Sequence, residues 1–296
     1  MSLKFNSGLF GEVYDREKYI NSYAMRKIVL LFMCFVYWGT GLAQTDSADD
    51  NSLFMDPAAI ELRSKMTIPP YGLDKVKALI STIIPEEDKE TTDAGINAIS
   101  AVDFKKLTLR EKFTYTMIHA ELYAQNCAIP EYQTQIDKKI FATLLDGFNE
   151  SSWSQRQTDF LQENRDSVMK LIQESVVRSK RMGVNYKHAI VEINGWQMIP
   201  FIVDYAKKTP KDKDALTLLL LLMKRGEYSE FIKSSSFKKL YGEDSNYNSY
   251  LNYNKENEAL IFSRALKYYD EKKASSAVGF LVFETSNLYY NKRQGE

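Results

Sequence analysis

Tyr115, His119 and Tyr123 recur every four residues, the interval that stacks side chains along one flank of a helix. Such a strip offers flat ring faces with hydrogen-bonding tips, a chemistry suited to gripping a sugar ring or a peptide. The same strip also makes an ordinary helix–helix contact with its polar tips satisfied. His188 precedes Glu192 by four residues, so a helix lets imidazole and carboxylate share a hydrogen bond, while a strand holds them ~13 Å apart. Cys127 lies eight residues beyond His119. That is ~12 Å of helical rise, too far for a thiol–imidazole couple, and Cys127 reads as a buried structural thiol.

The chain contains no H-E-x-x-H, G-x-S-x-G, phosphate loop, G-x-G-x-x-G or paired-cysteine spacing. No catalytic residue is therefore named from sequence, and neither a metal nor a cofactor is expected. The acidic groups Asp46/Asp49/Asp50 and Glu86-Glu87-Asp88 lack the glycine and alternation of a calcium loop. The first reads as tail and the second as the start of a helix.

Elements must position these groups, and the first of them concerns destination. Met25–Gln44 reads MRKIVLLFMCFVYWGTGLAQ: Arg26 and Lys27 begin it, an apolar run follows from Ile28 to Trp38, and Gly41-Leu42-Ala43 closes it with small residues. That order is a secretory signal peptide. The apolar run rises only ~16 Å as a helix against a ~30 Å hydrocarbon core, so it is too short for a stable span. Residues 1–24 carry Lys4, Glu12, Asp15, Arg16, Glu17 and Lys18, a mixed-charge leader unlike a basic n-region, which places the working start at Met25. Cleavage after Ala43 leaves residues 44–56 as a polar tether.

The whole chain has 296 residues, 39 Lys+Arg and 39 Asp+Glu. The segment to Ala43 removes five basic residues and three acidic ones, leaving 34 against 36, a net −2. A nucleic-acid partner would call for a basic excess, and none exists. Cys34 departs with the signal, so Cys127 is the one remaining thiol and an internal disulfide is excluded.

Gly and Pro are sparse, with Gly95–Pro130, Gly147–Gly183 and Gly242–Gly279 free of either, intervals that suit long helices. Thr108 and Glu111 form a capping box for a helix carrying Leu109, Phe113, Met117, Ala120, Ala124 and Cys127 on one stripe. A second long helix is expected from Ser154 to Met182, with Gly183 as its C-terminal stop and Phe160, Leu161, Val168, Leu171, Ile172 and Val176 inward. Asp166–Lys170 and Glu174–Arg178 mark its solvated side. Leu216–Met223 is the expected centre of the core. Shorter helices are expected over 73–84, 88–101, 135–145, 228–234 and 255–270. Asn194-Gly195 either breaks two helices or turns a small β-hairpin over 188–203, and Pro200 favours the helices. Val278–Phe283 suits a last helix or an added strand, and Ser245–Asn257 an exposed loop.

The fold class expected is all-α, as a multi-helix bundle or a degenerate helical-repeat (solenoid-like) packing, with residues 57–290 as one domain and 291–296 as a tail. The function expected is an exported, soluble binding or scaffolding protein for another macromolecule, a protein or a glycan, in the envelope or outside the cell. Tyr115, His119 and Tyr123 are the binding candidates. The rival is an envelope hydrolase or lyase acting on glycan or peptide through carboxylates that meet only in three dimensions. A small-ligand carrier with a pocket between helices is a third reading.

Overall fold

The computed structural model describes residues 57–84, 86–87, 94–125 and 134–293, all within one compact unit spanning Asn51–Glu296. The export segment, the tether and Cys127 lie outside those residues. The described chain is mostly helical, with a few short strands in two small sheets. Its first half holds α1 (Pro57–Ser64), α2 (Leu73–Ile80), β1 (Glu86–Glu87), β2 (Ala94–Ile96), α3 (Ala101–Lys106), α4 (Leu109–Ile118), β3 (Leu122–Ala124), β4 (Lys139–Phe141) and β5 (Ser151–Ser152). There follow α5 (Gln155–Glu163), α6 (Arg165–Ser179), α7 (Val184–Glu192), α8 (Ile199–Lys208), α9 (Asp214–Arg225), α10 (Ser229–Ile232), α11 (Ser235–Tyr241), β6 (Tyr250–Asn252) and α12 (Lys255–Arg293).

The leucine run sits where its composition demands. Leu216, Leu218, Leu219, Leu220 and Leu222 of α9 are all buried, and α9 packs against α7, α8, α12 and β4. A helix apolar on most sides is stable only when covered on most sides. The antiparallel pair β4–β6 covers one of them, with Ile140 opposite Leu251 and both directed inward. The other sheet runs β1-β2-β3-β5, every pairing antiparallel.

The segment after α1 is stitched to the start of α7. Buried Asn185 accepts from the Thr67 N–H and donates to the Thr67 and Met117 carbonyls, while the Gly183 N–H donates to Thr67 Oγ1. This close approach explains the glycine: a Cβ at Gly183 would stand 2.2 Å from the Thr67 backbone nitrogen. Gly183→Ala must push two backbones apart, at a cost of ~1–3 kcal/mol. The expected result is a melting temperature lower by ~3–10 °C in thermal unfolding.

Several expected elements are corrected by the fold. The capping box at Thr108 and Glu111 is present, but α4 stops at Ile118. There the side-chain amide of Gln157 donates to the His119 carbonyl and its Oε1 accepts from the Glu121 N–H. A side chain 36 residues away thus occupies backbone groups that a continuing helix would have used. The helix expected over 154–182 is two helices, α5 and α6, broken at Asn164, whose side chain donates to the Phe160 carbonyl. Its stop is Lys180, in the left-handed region at φ 57°, and Gly183 instead precedes α7. All six residues predicted to face inward do so.

The small hairpin over 188–203 is not formed. Asn194 adopts φ 45° and the Gly195 N–H donates back to the Ile190 carbonyl, a helix-terminating arrangement, and Pro200 lies in the first turn of α8. The helix expected over 135–145 is a 3₁₀ turn, Ile136–Lys138, followed by β4. Its partner β6 lies inside the stretch read as a loop. Glu86–Glu87 is a strand rather than a helix start, and Ala94–Ile96 replaces part of the helix expected over 88–101. Val278–Phe283 continues α12.

Candidate functional site

The premature end of α4 turns Glu121 into the body, where it is 1% exposed. Tyr115, on the last full turn of α4, donates its hydroxyl to Glu121 Oε1 at 2.7 Å. Ser154, the residue that caps α5, donates its own hydroxyl to Oε2 at 2.5 Å. Arg156, in the first turn of α5, closes the site: its Nε donates to both carboxylate oxygens at 3.0 and 2.9 Å, and one Nη reaches Oε1 and the Ile99 carbonyl. The guanidinium lies 4.7 Å from the centre of the Phe104 ring.

Burial alone would raise the Glu121 pKa, but the hydrogen bonds from Arg156, Ser154 and Tyr115 outweigh it and hold the carboxyl below its ordinary range. Burial, with Glu121 accepting its proton, pushes the Tyr115 phenol well above the ordinary range. The arrangement is thus an ionised carboxylate gripped by one cation and two neutral donors. It ties the end of α4, the start of α5 and the loop at Ile99 into one rigid corner.

Of the three binding candidates, the structure brings together two. Tyr115 is fully buried at the floor of this corner, and its ring centre lies 5.3 Å from that of His119. His119 directs Nε2 to the Asn97 carbonyl at 2.5 Å. Tyr123 belongs to β3, opposite Gly95 and Ser151, so the three do not form the expected strip along a helix flank. His188 and Glu192 do share α7, yet not a hydrogen bond. His188 Nε2 meets the Leu145 carbonyl, while Glu192 accepts from Gln162 and faces Arg225.

Two further buried charge pairs lie on other elements of the fold. Lys187, on α7 and 1% exposed, donates to Asp212 at 2.6 Å. Asp212 also accepts from the Tyr205 hydroxyl, which receives the Met182 N–H. Burial, aided by the Asp212 carboxylate, pushes the Tyr205 phenol up to about 12. Asp214, also 1% exposed, receives Arg63 Nε at 3.0 and 3.1 Å.

Sequence reasoning missed Glu121, Arg156, Lys187, Asp212 and Asp214. Their partners lie 25 to 151 residues apart, and no local pattern carries a pairing of that span. The one available signal was the Ser154–Gln157 capping box, which marks where α5 begins and so where Arg156 must stand. Among the described residues, no three His, Cys, Asp or Glu side chains gather as metal ligands, and no helix is long and apolar enough to cross a membrane. Comparison with protein-family models, with curated proteins and with solved structures finds no match for this chain.

Proposed function

We propose that the protein is exported and acts as a helical binding or scaffolding protein toward another macromolecule of the cell envelope or its surroundings. Export rests on the tripartite order of Met25–Gln44. The binding role rests on one observation, an apolar pair left in water on a sheet face. Ile96 and Leu122 stand directly opposite each other on β2 and β3, 49% and 37% exposed.

The register extends this pair into a row across four strands, Glu86–Ile96–Leu122–Ser152. The pair is aliphatic and its neighbour on β5, Ser152, is polar, the ordering found toward the rim of protein–protein contacts. Ile84, 85% exposed, lies two residues before β1. Aliphatic side chains favour a protein partner, since a glycan is held better by aromatic faces. The row is short, which suits a contact smaller than a permanent interface.

Two measurements test the reading. Mature protein recovered from the envelope begins at Gln44 by mass spectrometry, and a cytoplasmic chain retaining residues 1–43 refutes export. A photo-crosslinking residue at Leu122 captures a discrete partner in cells, and an unreacted monomer refutes the binding face.

A further inference from the structure

Arg63 is held by a pocket that α1 does not build. Its guanidinium lies 4.1 Å from the centre of the Phe141 ring, its Nε meets both oxygens of Asp214, and one Nη lies 3.4 Å from the Thr143 carbonyl. Each wall is fixed from elsewhere in the fold. Phe141 belongs to β4 and its carbonyl receives Thr217 Oγ1 of α9; the Ala142 N–H donates to the Ser249 carbonyl and the Ala142 carbonyl receives the Tyr241 hydroxyl; Thr143 Oγ1 donates to the Tyr247 carbonyl. Asp214 stands in the first turn of α9.

The helix that supplies Arg63 is only lightly embedded in the core. None of residues 58–64 is buried, whereas the chain just beyond is locked at Thr67 by Asn185 and Gly183. The last turn of α1 is also held through its backbone: Arg181 donates to the carbonyls of Leu62 and Lys65, which flank Arg63, and Val184 N–H donates to the Lys65 carbonyl.

We infer that the Asp214–Phe141–Thr143 pocket is an arginine-binding site that Arg63 fills in cis, and that an arginine of a partner polypeptide fills it when α1 lifts. The inference rests on the binding role proposed above and names the chemistry that one partner brings. An emptied pocket leaves a buried carboxylate without a cation, a state that strongly draws one in. A planar guanidinium can meet both carboxylate oxygens, stack on the ring and reach a carbonyl together; a lysine ammonium cannot. Arg181 reads the main-chain carbonyls on either side of the arginine, which distinguishes a polypeptide from free arginine.

The probe is a synthetic peptide of residues 57–66, compared with the same peptide carrying lysine at the arginine position and with free arginine. Full chain bearing Arg63→Ala is expected to bind the arginine peptide at least ~10-fold more tightly than either comparison ligand and than wild-type chain does, with Asp214→Asn added to Arg63→Ala abolishing the gain. Equal binding of the arginine and lysine peptides, or no binding by an Arg63→Ala chain with wild-type circular dichroism, overturns the inference.

Should Arg63→Ala not fold, wild-type chain answers instead. Millimolar arginine peptide is expected to speed amide exchange over residues 60–66, and unchanged exchange overturns the inference. Partner capture separates the two readings. A partner crosslinked equally to wild type, Arg63→Ala and Asp214→Asn overturns the pocket and leaves the binding role standing. No captured partner at all overturns the binding role, and the peptide titration then judges the pocket alone.

Discussion

Glu121→Gln is expected to lower the melting temperature of the full chain by ~5–15 °C, a loss of ~2–4 kcal/mol. Glutamine keeps the shape but removes the charge that Arg156 was buried to meet. Removing one partner of a fully buried ion pair costs ~3–5 kcal/mol; the Arg156 side chain is 29% exposed, so water recovers part of that. Glu121→Leu combined with Arg156→Met is expected to cost less than Glu121→Gln alone, because no charge is then left behind.

The same carboxylate sets a pH dependence. Its folded pKa lies below the ordinary value of 4.5, so its contribution to stability is present above the unfolded pKa and is lost as pH falls through the folded one. Thermal unfolding followed between pH 7 and pH 3 should therefore show wild type losing stability toward acid faster than Glu121→Gln, with the two curves converging. Parallel curves would contradict the assignment of an ionised Glu121.

The second large effect is an asymmetry between partners. Asp212→Ala strands the ammonium of Lys187, which is 1% exposed, and frees the Tyr205 hydroxyl of its acceptor. The expected loss is ~3–5 kcal/mol in denaturant unfolding. Lys187→Met removes the buried cation and leaves Asp212 at 10% exposure, close enough to water to be solvated. Replacing both members of a buried pair by apolar chains is often close to neutral, whereas removing one strands the other. Since Asp212 keeps more contact with water than Lys187, this variant is expected to lose ~1–3 kcal/mol, less than Asp212→Ala. Equal losses from both substitutions would show that the pair stabilises by attraction rather than by relieving a buried charge.

Local rules in the sequence reached the helices whose burial is decided by their own residues. The leucines of α9 and the inward stripe of α5 and α6 follow from composition and period alone, and Thr108 and Ser154 mark real helix starts. What stayed hidden is wherever a distant group intervened. Gln157 ends α4 by occupying the backbone at His119 and Glu121, and that single contact moves Tyr123 from a helix flank to a strand. Lys139–Phe141 becomes a strand because Tyr250–Asn252 pairs with it, and neither segment announces the other. Asn194-Gly195 carries the backbone freedom of a hairpin turn, and the structure spends it on ending α7. The candidate site was the least legible part. Arg63, Asp214, Glu121 and Arg156 are ordinary charged residues in sequence, and only folding reveals which of them have lost their water.

The exposed face on the small sheet bears the functional account, and one comparison tests it most directly. A photo-crosslinker at Leu122 is introduced into wild type and into Ile96→Asp, and both are examined in intact cells. Asp at position 96 places a charge in the centre of the aliphatic row at a residue that is 49% exposed, so circular dichroism should be unchanged and the melting temperature close to that of wild type. The account predicts one discrete crosslinked partner in wild type and its loss in Ile96→Asp; a partner captured equally by both chains, or by neither, would contradict it.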